Sequence, residues 1–270
     1  MINIPLAKKI EEKEISENKS EFHVGPLYPG FGLTLGNALR RVLLSSLGGA
    51  AIEAVKIDGV EHEFSIIDWV QEDVVDIILN LKQVRIKMSD ELVQNILETG
   101  EDLKLVISQT GAKKITAGNF EKVSGIEIAN PDLHLMTMTD KASKLELSVH
   151  VGYGLGYSAF ESREDKNYEV GTIKMDASYS PVVRIGYDIE NVRVGRVTNW
   201  DKIVMNIETD GTVDCKEAFD ASVGILINQF GALVATQETK EKELLSEVEE
   251  KEEEEEKVKP KKVKKEKKEK

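Results

Sequence analysis

The sequence predicts an α+β protein with patterned helices towards both ends of its globular part, a strand-rich middle and a charged tail. Three observations carry this expectation. Leu35, Ala38, Leu39, Val42, Leu43 and Ser46 recur at helical spacing near one end, and Phe219, Val223, Leu226, Phe230 and Leu233 do so near the other. Between Val84 and Val151, short apolar runs are broken by Gly, Asn and Pro. After Gln237 most residues are Glu or Lys. A chain of 270 residues suffices for one large domain or two ordinary ones.

The first helix is expected over Thr34 to Leu47, with Thr34 as its cap and Gly48-Gly49 as its stop. Asn37, Arg41 and Leu44 share a second face of it. A guanidinium beside an apolar side chain suits a partner better than plain solvent. From Ala51 to Ser65, Glu53, Val55 and Ile57 alternate with Ala54, Lys56 and Asp58, and Asp58-Gly59 is a turn signal, so two strands of a hairpin are expected. Val70 to Lys82 reads as a helix that buries Val70, Val74, Ile77, Ile78 and Leu81, with Glu72 and Asp73 in its first turn, where carboxylates complement the dipole.

Leu103 to Ile107, Leu133 to Met138 and Leu145 to Val151 are the expected strands of the middle. Ile203 to Ile207 makes another, Asp210-Gly211 turns the chain, and Asp214 opens a helix with Glu217 three residues on. Steps of four and three from Phe219 to Leu233 give the seam by which helices pair, although ordinary core packing produces the same pattern over so short a span. The tail holds an acidic block to Glu256 and a basic block from Lys257, with too few apolar groups to offset chain entropy.

Charge and composition exclude several classes. Of the formal net charge of −13, nearly all lies in the body, because the tail's Glu and Lys almost cancel. Such a body is a poor phosphate-gripping surface. The single Cys215 allows no internal disulfide, and His23, His62, His134 and His150 show no metal-ligand spacing, so neither metal nor cofactor is expected. Without an apolar run of membrane length, the expected place is the cytoplasm. Gly152-Tyr-Gly154-Leu-Gly156 invites comparison with a phosphate loop. The charged run from Arg163 to Lys166 stands where a helix should follow, so it reads as a flexible turn. Glu72 and Asp73, being adjacent, diverge on a helix instead of converging on one substrate atom, and Ser45-Ser46 has no nearby His to activate it. No catalytic residue is expected.

The segment PGFGLTLGNALRRVLLSSL from Pro29 to Leu47 resembles the bacterial RNA polymerase alpha subunit family. The resemblance continues through VKIDGVEHEF (Val55 to Phe64), VQEDVVDIILNLK (Val70 to Lys82), DASYSP (Asp176 to Pro181) and the last helix from Lys216, in order over about Phe22 to Thr236. It implies a non-catalytic subunit of a nucleotidyltransferase complex that homodimerises and receives the large beta and beta-prime subunits. It also implies a dimerisation domain, helices packed on an antiparallel sheet, from residues 3–48 and 182–236. A strand-rich insert would occupy 49–181 and a disordered tail 237–270. The dimer contact would use Phe31, Leu35, Leu39, Val42, Phe219, Val223, Leu226 and Phe230. Beta would be met by Arg41, Leu44, Glu72 and Asp73, and beta-prime by Lys82, Asp176, Tyr179, Ser180 and Pro181.

The sequence also departs from the family. The Glu/Lys tail stands where a small DNA-binding C-terminal domain is usual, so DNA contact is expected to be weak or absent, with the Lys-rich block its only candidate. Tyr153 and Leu155 occupy a glycine segment that is commonly basic in the family, and Asp68-Trp69 replaces a more usual turn. The rival reading is a free-standing acidic dimer, a chaperone-like or regulatory binder that works through its tail.

Overall fold

The computed structural model describes residues 4–7, 9–100, 102–163 and 168–234. The expected disordered tail lies outside them. The strands are β1 (Lys9–Ser16), β2 (Lys19–Leu27), β3 (Gly48–Ile57), β4 (Ile86–Met88), β5 (Leu103–Thr110), β6 (Lys113–Thr116) and β7 (Ile126–Ile128). They continue with β8 (His134–Met138), β9 (Lys144–Leu155), β10 (Tyr157–Ser158), β11 (Ile173–Lys174), β12 (Ala177–Ser178), β13 (Val182–Val194) and β14 (Val197–Thr209). The helices are α1 (Phe31–Ser45), α2 (Val74–Leu81), α3 (Asp90–Thr99) and α4, residues 215–234. The fold is α+β. The described residues up to Ser222 make one compact unit, and those from Val223 belong to a second.

In the first unit, one antiparallel sheet runs β1-β2-β14-β13. The chain leaves it after β2 and re-enters it at β13, so its strands come from both ends of the sequence. A six-stranded sheet runs β5-β9-β3-β4-β7, with β11 also paired to β3. Its core includes Val55, Ile57, Leu105, Ile107, Leu147 and Val149, each at most 1 % exposed. Into it α2 lays Val74, Ile77 and Leu81, as their helical spacing predicts.

Helix α1 starts at Phe31, before the expected Thr34. Gly30 takes the cap with φ +88°, and the N–H groups of Gly30 and Gly32 both donate to Asp201 Oδ2, at 2.8 and 3.0 Å. A carboxylate from β14 thus satisfies orphan donors at the positive end of the helix. Thr34 lies inside it, its hydroxyl donating to the Gly30 carbonyl at 3.4 Å. The inner face is Gly32, Gly36, Leu39 and Leu43. A Cβ on Gly36 would sit 2.8 Å from the Tyr187 ring, so glycine lets the helix lie against β13.

Four further expectations need correction. The alternation from Glu53 fails because β3 is central and covered on both faces: Ala51 to Val55 are all buried. No hairpin follows Asp58-Gly59, since β3 pairs instead with β9, β4 and β11, and Asp58 N–H donates to Glu146 O. The helix expected from Val70 begins at Val74, because residues 70–72 are drawn onto β8: Val70 bridges to Met138 and Gln71 N–H donates to Thr137 O at 3.0 Å. Nor is the Gly152–Gly156 segment a flexible turn. Gly152 and Gly154 pair with Ala51 and Gly49 inside the sheet, and only Gly156, at φ +62°, turns the chain. Among the described residues no helix is long and apolar enough to cross a membrane.

Candidate functional site

The outer face of α1 carries the first candidate surface. Asn37 Oδ1 accepts a hydrogen bond from Tyr187 at 2.7 Å, which ties α1 to β13. One turn on, Arg41 is exposed and its guanidinium has no partner among the described residues, while Leu44 is 38 % exposed. Ser45 donates to the Arg41 carbonyl at 2.7 Å and Ser180 to the Leu44 carbonyl at 3.3 Å. A guanidinium and a leucine thus project from a helix end already joined to the 176–181 segment.

That segment carries the second. Lys82, at the end of α2, lies 3.3 Å from Asp176 Oδ2, and Phe160 N–H donates to Asp176 Oδ1 at 3.1 Å. The Phe160 amide foremost, then Lys82, hold the Asp176 carboxyl below its ordinary pKa against a smaller opposing effect of burial. Residues far apart in sequence therefore meet as an accessible ion pair. Tyr179 and Pro181 do not join that surface. Both are buried, and Tyr179 points its hydroxyl 2.6 Å from Glu53 Oε1, where burial and the neighbouring carboxylate push its pKa up. Their place is beneath that surface, because both side chains are enclosed by the chain's own residues.

Beneath Asp176 lies a polar cluster that sequence reasoning missed. Glu53, 4 % exposed, sits 3.3 Å from Arg163 Nη1, and Arg163 also donates to the Met175 carbonyl. Tyr168 donates to Asp102 Oδ2 at 2.7 Å, with its hydroxyl 3.5 Å from Glu53 Oε2. The only sequence signal was a Glu amid Ala and Ile in a strand. Among the described residues no group of three or more His, Cys, Asp or Glu could hold a metal ion.

Glu72 and Asp73 divide their work. Asp73 caps α2, accepting from Asp76 N–H at 2.9 Å. Glu72 is hydrogen-bonded to His134 Nε2 at 2.8 Å, Thr137 N–H at 2.6 Å and the Thr137 hydroxyl at 3.1 Å. Burial alone would raise its pKa, but these bonds prevail and hold it below the ordinary value. Beside them, Phe64, Ile66 and Trp69 are 79, 84 and 61 % exposed, a second feature that helical and strand periodicity could not flag in a loop. Trp69 has φ +66°, and its carbonyl accepts from both Thr139 N–H and hydroxyl, at 2.8 and 2.9 Å.

Residues 55–180 match the RNA polymerase Rpb3/RpoA insert domain family. The match supports an RNA polymerase alpha-type subunit. The resemblance carried by the sequence motifs is thereby borne out. Of the residues expected at large-subunit contacts, Glu72, Asp73, Lys82, Asp176, Tyr179 and Ser180 lie inside the matched span, and Arg41, Leu44 and Pro181 outside it.

The apolar residues expected at a dimer contact of the alpha-type subunit separate by burial. Leu39 and Phe219 are 6 and 3 % exposed, so each is enclosed largely by the chain's own residues. Leu35, Val42, Val223 and Leu226 are half-buried; Phe31 and Phe230 are exposed. On α4, Ile227, Leu233 and Val234 are exposed with Phe230 at helical spacing, and of these Ile227 and Val234 fall outside the expected seam.

Proposed function

We propose that this chain is the non-catalytic alpha subunit of a DNA-dependent RNA polymerase, which homodimerises and serves as the platform on which the beta and beta-prime subunits assemble. The observation that carries this reading is the insert-domain match at residues 55–180, flanked by the exposed Arg41–Leu44 face that Ser180 joins to the matched region. In this reading residues 3–48 and 182–236 form the dimerisation domain and 49–181 the insert. Support comes from the sheet β1-β2-β14-β13, whose strands lie on either side of the insert in sequence.

Beta would dock on Arg41 and Leu44, with Glu72, Asp73 and the Phe64–Trp69 loop as a second patch. Beta-prime would meet Lys82, Asp176 and Ser180, set on the buried Tyr179 and Pro181. The dimer would be closed by Phe31, Leu35 and Val42 of the first helix and by Val223, Leu226 and Phe230 of the last, set on the buried Leu39 and Phe219, because large apolar side chains left open to water favour association. The tail is then dispensable for assembly, since exposed ion pairs contribute only about 0–1 kcal/mol each.

Purification of the full-length chain from its own cells tests the proposal. Two much larger subunits should accompany it in stoichiometric amount. A chain that purifies only as a free acidic dimer would favour the rival binder.

A further inference from the structure

We infer that Glu53 is a positioning residue: a buried carboxylate through which the Lys82–Asp176–Ser180 surface is held in its binding geometry. This rests on the reading of that surface as a large-subunit contact. Glu53 sits where the β3–β9 register shifts, between Ile52 and Ala54, and such an irregularity re-aims a side chain out of the strand's normal alternation. Its carboxylate enters a slot made by glycine. A Cβ on Gly152 would lie 1.8 Å from Glu53 Oε1, and a Cβ on Gly154 would lie 2.8 Å from the Tyr179 ring. Gly152-Tyr-Gly154 thus serves to admit one carboxylate and one aromatic ring between strands, a use unrelated to phosphate.

From that slot Glu53 reaches two segments of chain with little regular structure of their own. Its Oε1 accepts from Tyr179 at 2.6 Å, next to Ser180. Its Oε2 faces Arg163, which closes the segment carrying Phe160 and also bonds the carbonyl of Met175, next to Asp176. The Glu53 backbone carbonyl accepts from Met175 N–H at 2.9 Å. The Asp176 carboxylate, in turn, is aimed by the Phe160 amide and Lys82. Met175 and Tyr179, which flank Asp176 and Ser180, are thus each bonded to Glu53, and the Phe160 amide lies three residues from Arg163, whereas Lys82, Tyr157 and the Leu44 carbonyl hold the surface independently of it. Burying a carboxylate is costly without partners, and here each oxygen has one, so loss of the charge leaves Arg163 enclosed beside a neutral group.

The test uses the full-length chain reconstituted with the two large polymerase subunits, and compares Glu53→Gln with Lys82→Ala and Asp176→Ala. Glu53→Gln should keep the dimer and uptake of beta, lower uptake of beta-prime by at least about tenfold, and raise amide hydrogen exchange in residues 157–163 and 173–180 relative to β5 and β9. Should Glu53→Gln fail to fold, Tyr179→Phe, which removes one bond and no charge, takes its place with the same expectations at smaller size. Arg163→Lys should retain more beta-prime uptake than Arg163→Met, since a lysine keeps the charge facing Glu53 but not the fork. Unchanged exchange in both segments, or Lys82→Ala and Asp176→Ala losing beta-prime while Glu53→Gln binds as wild type, would overturn the role of Glu53. Normal beta-prime uptake by Lys82→Ala and Asp176→Ala, with exchange raised in Glu53→Gln, would instead remove the surface from the interface and leave Glu53 as its organiser.

Discussion

Phe22 of β2 and Phe219 of α4 stack face to face, with ring centroids 4.8 Å apart and planes within 5° of parallel. Both rings are nearly fully buried, at 2 and 3 % exposure, so the start of the last helix is anchored to the sheet by an aromatic pair. Further along the same helix, Phe230 is 60 % exposed. One helical stripe therefore begins in the core and ends in water.

Phe219→Ala and Phe230→Ala should accordingly fail in different ways. The first empties a core site and should cost about 3–5 kcal/mol of protomer stability. Chemical denaturation would read this as a lower midpoint. The second should leave the protomer's unfolding curve nearly unchanged and shift sedimentation towards monomer as the chain is diluted. An undisturbed dimer at submicromolar concentration would remove Phe230 from the contact.

Arg41→Ala is expected to fold and dimerise normally, because its guanidinium has no partner among the described residues. Uptake of the beta subunit should fall by about 2–5 kcal/mol in binding free energy, the usual cost of truncating one member of a buried charge-assisted contact. Arg41→Lys should recover only part of it, since an ammonium cannot make paired hydrogen bonds. Gel filtration of reconstituted mixtures would measure all three.

Glu72 gives a pH dependence with a definite sign. Its folded pKa lies below the ordinary value, as hydrogen bonds from His134 and Thr137 outweigh burial. The carboxylate therefore contributes stability in full above the unfolded-state pKa of about 4 and loses it as pH falls through the depressed folded value. Glu72→Gln should lower the melting temperature at neutral pH and weaken its dependence on pH across the acid range. Parallel melting-temperature profiles for the two proteins would contradict this.

Trp69 holds a left-handed backbone that costs a residue with a Cβ about 1–2 kcal/mol. Trp69→Gly removes that strain and, after the greater freedom of glycine in the unfolded chain, should leave stability equal or raised by up to about 1 kcal/mol. If the Phe64–Trp69 loop meets beta, the same variant should bind beta more weakly. Stability and binding would then move in opposite directions, which calorimetry and reconstitution can each follow.

Much of this protein is decided by local spacing. The buried side of α2 and the start of α4 follow from side chains three, four or seven residues apart and the turn at Asp210-Gly211 from an adjacent pair, while on α1 Leu39 and Leu43 of the expected stripe are buried. The motifs from Pro29 to Pro181 carry the family resemblance in the same way. Tertiary structure decided the rest. Asp201 caps a helix that begins about 170 residues earlier in the chain, and β3 finds its main partner in β9 instead of the strand expected after Asp58-Gly59. Leu39 and Phe219 sit inside the protomer, while Phe230, on the same apolar pattern, does not. Glycines that read as a loose turn make room for Glu53 and Tyr179. Periodicity tells which side chains share a face but not what that face meets, because the partner is supplied by residues far away in the chain and the pairing depends on sheet register and burial.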